Sequence, residues 1–168
     1  MSDAVWLDEE QQRTWRTFLA AVHLLEASLD RQLRRDSGLP HTYYQALVML
    51  SESPGGAMTM TELARLLRSS PSRLSHAAAR LEEDDLIRRF RRPGDRRTTI
   101  VELTERGART LEEAAPGHVA QVRRVLFDVI DPEQAESLRA IAEAMLGALD
   151  PEGVETRYAP PGGTGGQD

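Results

Sequence analysis

Six of the ten residues from Arg88 to Arg97 are arginine, with Pro93-Gly94-Asp95 set among them. Guanidinium groups at that density suit planar, bidentate contact with phosphate oxygens and base edges. A second set precedes them in SSPSRLSHAAAR, where Ser70, Ser72, Arg73, Ser75, His76 and Arg80 offer hydrogen-bond donors and acceptors on mostly short side chains. Both sets fall in one basic stretch: residues 60–100 hold ten arginines against six carboxylates, while residues 1–59 and 101–168 are net acidic. The formal charge of the whole chain is −6. A local basic face still steers a polyanion, whatever the total.

Other chemistries find little support. The chain has 168 residues, 40% of them hydrophobic, enough for one domain or two small lobes sharing a core. It has no cysteine, which removes disulfides, zinc-thiolate sites and thiol redox sensing. His23, His41, His76 and His118 are scattered, with no cysteine nucleophile and no Gly-rich phosphate loop, so no catalytic residue and no cofactor are expected. No H-x-x-x-H pair or acidic cluster marks a metal site, and no metal ligand is assigned. A metal sensor drawing on His23, His41 and His118 is the alternative. No apolar run nears the roughly 20 residues of a membrane span, and the start MSDAVWLDEE is acidic where a secretory signal is basic. A soluble, cytoplasmic protein with no membrane partner is expected.

The elements that must position the basic residues can be read from periodicity and caps. Asp8 and Gln11 form a capping box, and Trp15, Phe18, Val22, Leu25, Leu29 and Leu33 recur at steps of three and four. Nine of the twelve residues from Phe18 to Leu29 are apolar, so this helix should be buried on several sides, with a second copy of the chain as cover. Ser37-Gly38-Leu39-Pro40 ends it, and Tyr44, Leu47, Val48 and Leu50 supply the apolar side of a second helix. After the Ser53–Gly56 loop, Thr61 can cap a short helix holding Leu63, Ala64 and Leu67. Ser70 caps another, with Pro71 at its first position. Two short helices joined by a tight turn form a helix-turn-helix candidate. On the second, Leu74, Ala77, Ala78 and Leu81 share one face, Ser72, His76 and Ala79 lie opposite, and Arg73 and Arg80 flank them.

A strand from Ile87, a tight turn and a return strand to Leu103 follow, with Ile87 and Phe90 expected toward the core and the arginines at the tip and outer face. A hairpin placed there is a wing, shaped and charged for a minor groove. Helical pattern resumes through Leu111, Ala114 and Ala115, where Pro116 should kink or interrupt it. Asp131-Pro132-Glu133-Gln134 starts a last helix with Leu138, Ile141, Met145 and Leu149 as its stripe. The Gly- and Pro-rich residues 151–168 should be disordered.

This order of helices, followed by D-R-R-T-T-I-V-E-L-T-E-R-G from Asp95 to Gly107, resembles the MarR family of winged-helix regulators. Its wing signature, D-x-R and then L-T-x-x-G, is matched by Asp95, Arg97, Leu103, Thr104 and Gly107. The resemblance implies a mainly α fold, with a winged helix-turn-helix lobe over 39–104 that carries a two-stranded β-wing. It also implies an interlocked helical dimerisation lobe from 1–38 and 105–150. A homodimer would bind a pseudo-palindromic site in double-stranded DNA as a transcriptional repressor, through Ser70, Ser72, Arg73, Ser75, His76, Arg80, Arg92, Asp95, Arg96 and Arg97. Arg97 would enter the minor groove with Asp95 bracing it. A small aromatic or phenolic effector would occupy a crevice between the lobes, near His23, Glu26, His41, Tyr43 and Tyr44. The plainer reading of His23 and Glu26 is a hydrogen-bonded pair in the dimer core. A winged helix used only for protein contacts is an alternative, disfavoured because the wing arginines would then need an acidic partner.

Overall fold

Asp8 opens α1 (Glu9–Ser37): its carboxylate accepts the Gln11 N–H at 2.8 Å, and the Gln11 side-chain oxygen accepts the Asp8 N–H at 3.1 Å. Gly38 closes the helix with φ 70°, a left-handed geometry that glycine adopts without strain. The structure is a computed structural model describing residues 6–91, 94 and 97–150. The expected disordered tail and the wing-tip residues Arg92, Asp95 and Arg96 lie outside the described residues.

Helix α2 (His41–Ser51) follows, burying Tyr44, Ala46, Leu47 and Leu50. A 3₁₀ turn over Pro54–Gly56 leads into β1 (Ala57–Thr59), a strand the sequence pattern did not reveal because three residues are too few to show alternation. It pairs antiparallel with β3 (Thr99–Leu103), Met58 opposite Val101. The extended Thr59 therefore caps α3 (Met60–Leu66), accepting the Glu62 N–H at 3.0 Å; Thr61, the expected cap, lies inside the helix. As expected, Ser70 caps α4 (Pro71–Glu83), accepting the Arg73 N–H at 3.3 Å. The wing strands β2 (Ile87–Arg91) and β3 pair from Ile87↔Leu103 to Arg91↔Thr99, so the sheet has three strands in the order β1-β3-β2.

Two expectations fail for identifiable reasons. Ile87 is buried, but Phe90 is 41% exposed. Strand side chains alternate, so residues three apart cannot share a face; Phe90 shares one with Arg88, whose guanidinium lies 5.7 Å from the ring centroid. Nor does Pro116 interrupt α5 (Glu105–Val122), which runs through it. Both Pro116 and Glu112 are exposed, so water can bond the carbonyl that the proline leaves without a donor. A π-helical turn, Arg123–Phe127, ends this stretch before α6 (Pro132–Leu149).

The core sits under the wing. Leu33, Leu47, Leu50, Leu63, Leu74, Leu81, Ile87 and Val101 are fully buried, joining α1 through α4 to the sheet. By contrast α6 buries no residue at all, and Leu138, Ile141, Met145 and Leu149 are exposed along it. Trp15, Phe18 and Leu24 of α1 are exposed as well. Among the described residues no helix is long and apolar enough to cross a membrane.

Candidate nucleic-acid interface

Helix α4 divides as its periodicity predicts. Leu74, Ala78 and Leu81 are buried, while Ser70, Ser72, Arg73, Ser75, His76 and Arg80 are exposed. The outward face is thus short, polar and basic, with no large apolar group to bar a groove. Arg80 is tethered to Glu83 at 2.9 Å. The preceding turn holds Arg68 at φ 48°, a conformation costly for a side chain with a Cβ.

The wing arginines are not equivalent. The Arg88 guanidinium donates to Glu102 on the facing strand at 2.5 Å. Arg89 gives its backbone N–H to Glu82 of α4 at 2.8 Å and its guanidinium to the same carboxylate at 2.6 and 3.0 Å. These charge-assisted bonds hold both carboxyls below the usual carboxylate range. Two of the six arginines therefore fasten the wing, one across the hairpin and one to α4. Arg91 and Arg97 are exposed. The expected Asp95–Arg97 brace lies outside the described residues, as do Arg92 and Arg96. Glu82 and Glu102 were absent from the sequence-derived site. Arg88 and Glu102 stand equally far from Asp95 at the hairpin centre, which was a readable signal for that pair; the Glu82–Arg89 contact crosses a turn and left no periodic trace.

The far end of the hairpin explains L-T-x-x-G. Thr104 caps α5 by accepting the Gly107 N–H at 2.9 Å, donates its hydroxyl to the Asp85 carbonyl at 2.6 Å, and sends its own N–H to the Leu86 carbonyl at 3.2 Å. A Cβ on Gly107 would lie 2.0 Å from the Leu86 oxygen, so only glycine fits. The motif joins the end of α4, the return strand and α5 at one point.

The residues expected near an effector are divided between places. His41, Tyr44 and His118 line a cleft of about 730 Å³ between α2 and α5, with Leu111 and Val119. The His118 ring lies 4.5 Å from Tyr44 and 5.6 Å from His41. Burial pushes both imidazoles below their ordinary value, and His118 Nδ1 is buried without a hydrogen-bond partner. Tyr43 lines a different cleft, beside Arg73 and His76. His23 and Glu26 are exposed on α1, and Glu26 acts on His41 through its charge. Among the described residues no three His, Cys, Asp or Glu side chains form a group that could hold a metal ion.

Comparison with known proteins agrees with this geometry. A model of the MarR family matches residues 37–98. The fold is similar to Sco3205, a MarR family transcriptional regulator from Streptomyces coelicolor solved in complex with DNA, at 46% identity and a TM-score of 0.84, over 90% of this chain and 94% of that one. It is also similar to AbsC, a MarR family regulator from the same organism, at 40% identity and a TM-score of 0.76, over 86% of this chain and 99% of that one. The transcriptional repressor MprA of Escherichia coli K12 is 26% identical over 131 residues, 77% of this chain and 74% of its own length. With α4 exposed beside a basic hairpin, and relatives that are regulators rather than enzymes, the chain belongs to the MarR family of winged-helix, DNA-binding transcriptional regulators.

Proposed function

We propose that this chain is a homodimeric cytoplasmic repressor that binds a pseudo-palindromic operator, with α4 in the major groove and the wing in the adjacent minor groove. The observation that carries the reading is the Glu82–Arg89 clamp: it ties the first wing strand to α4, so a single docking presents the polar face of α4 and the wing together. Ser72, Arg73 and His76 read base edges, Ser70, Ser75 and Arg80 border the groove, and Arg92, Arg96 and Arg97 serve the wing with Asp95 as brace. That MprA is named a repressor and Sco3205 was solved with DNA supports the same reading.

The test is selection of bound duplexes from a random pool. It should return two half-sites about one helical turn apart, 10–10.5 base pairs centre to centre. Arg73→Ala should then cost about 1–3 kcal/mol of binding and relax preference at one or two positions per half-site. Equal loss on every sequence would make Arg73 a phosphate contact.

Release is by a small aromatic acid in the α2–α5 cleft, where Tyr44 offers a ring face and the two neutral imidazoles offer N–H donors. A screen of such acids for operator release tests this, with His118→Phe expected to abolish the response.

A further inference from the structure

Two clefts flank α4. One, of about 440 Å³, is lined by Arg73 and His76. The other, of about 520 Å³, lies between α3 and α4, lined by Thr61, Arg65, Ser69, Ser70, Pro71 and Ser75 among others. A helix with its side chains is roughly 10–12 Å across and the major groove about 12 Å wide, so a seated helix sets each flank beside one phosphate strand. Arg65 lines the second cleft, and its Nη1 nitrogen is buried without a hydrogen-bond partner among the described residues. A guanidinium carries five N–H donors and no acceptor, so this nitrogen calls for an acceptor from outside the fold.

An anion with several lone pairs suits such a lining. The Ser70 hydroxyl already accepts the Arg73 N–H, which leaves its hydrogen to donate, and Ser75 brings a second hydroxyl from the next turn. We propose that this cleft seats a DNA backbone phosphate, held by Arg65 of α3 with the hydroxyls of Ser70 and Ser75 of α4. Arg65 is only partly buried, so a rotamer change inside the cleft exchanges an unsatisfied N–H for charge-assisted bonds to phosphate. The site gives α3 a direct part in binding and fixes the register of α4 without reading sequence. It rests on the placement of α4 in the major groove.

The experiment uses the full chain and two duplexes, one of random sequence and one recovered by selection, titrated over a range of salt concentrations. Arg65→Gln should lower the slope of log affinity against log salt by about one on both duplexes, with a loss of roughly tenfold at low salt. Arg65→Lys should keep the slope. Thermal melting of Arg65→Gln should not fall, because the change removes the unsatisfied buried N–H and keeps the apolar stem and a polar end. An unchanged slope in Arg65→Gln, with or without a lower melting temperature, overturns the phosphate seat and leaves Arg65 a packing residue. If Arg73→Ala relaxes sequence preference in the same assay, the major-groove reading survives that failure; a wild-type chain that binds neither duplex removes both.

Discussion

Arg88 and Arg89 adjoin each other in the sequence and leave the hairpin in different directions, one to Glu102 across the sheet and one to Glu82 on α4. Charge density located the wing, but it could not say which arginines were already engaged, because an ion pair depends on what folding brings near. The distinction is measurable: removing an exposed phosphate contact lowers the salt slope by about one, so Arg91→Ala should do so and Arg88→Ala should not. Arg97→Ala should weaken binding most where flanking DNA is A·T-rich, since the narrowed minor groove strengthens an inserted arginine. Equal losses on matched A·T-rich and G·C-rich flanks would exclude insertion. A second residue-level expectation concerns pH. Burial is the main cause that lowers both His41 and His118; Asp30 and Glu26 of α1 oppose it at His41, and His41 adds to it at His118. A group whose folded value is depressed contributes stability above its unfolded value, near 6.5 for histidine, and that contribution is lost as pH falls through the folded value. Urea unfolding at fixed protein concentration should therefore show stability declining below about pH 6.5, with a shallower decline in His118→Gln. Parallel pH profiles for the two proteins would show that burial of His118 has no such consequence.

Most elements were legible because each carries a local signal. The Asp8 and Asp131 capping boxes, the Ser70 cap with Pro71, and the stripe of Leu74, Ala78 and Leu81 depend on near neighbours, and all appear where their spacing placed them. What escaped was non-local. Strand β1 exists only because β3 is there to pair with, and it moves the α3 cap from Thr61 to Thr59. The crossing of Glu82 and Arg89 and the approach of Gly107 to the Leu86 carbonyl likewise require α4, the wing and α5 to be folded together. Gly107→Ala should accordingly destabilise the protein by about 2–4 kcal/mol, because the new methyl meets backbone that cannot swing aside. Chemical denaturation reads this, and a loss below about 0.5 kcal/mol would show that the junction can yield. Glu82→Gln tests the clamp at the same scale. It should leave base preference under α4 intact while reducing the dependence on A·T-rich flanks, since the wing then loses its ion pair to α4. Equal loss of both preferences would mean that Glu82 supports α4 itself.

At the scale of the molecule, one apolar surface has no counterpart among the described residues. Trp15, Phe18 and Leu24 on α1, Val119 on α5, and Leu138, Ile141, Met145 and Leu149 on α6 are all exposed, and α6 contributes nothing to the buried core. An 18-residue amphipathic helix with both a capping box and a proline start is well specified as a helix, yet its apolar stripe stays exposed among the described residues. Helix formation of that kind is stabilised mainly by packing, so the stripe calls for a partner, and a second copy offers the same unpaired surface. The charge pattern fits this arrangement. The acidic flanks of the sequence belong to the helical half and the basic stretch to α3, α4 and the wing, so a dimer joined through α1, α5 and α6 would hold two basic faces outward. Sedimentation at micromolar concentration should give a dimer for the wild type. Leu138→Asp combined with Ile141→Asp should give a monomer or an unfolded chain, because two carboxylates would be buried in an apolar contact without partners. Affinity for a single half-site distinguishes those outcomes: a folded monomer keeps it and loses the advantage of the paired site. A double variant that still sediments as a dimer would place the interface elsewhere, and a wild type that sediments as a folded monomer would remove the geometric reason for a palindromic operator.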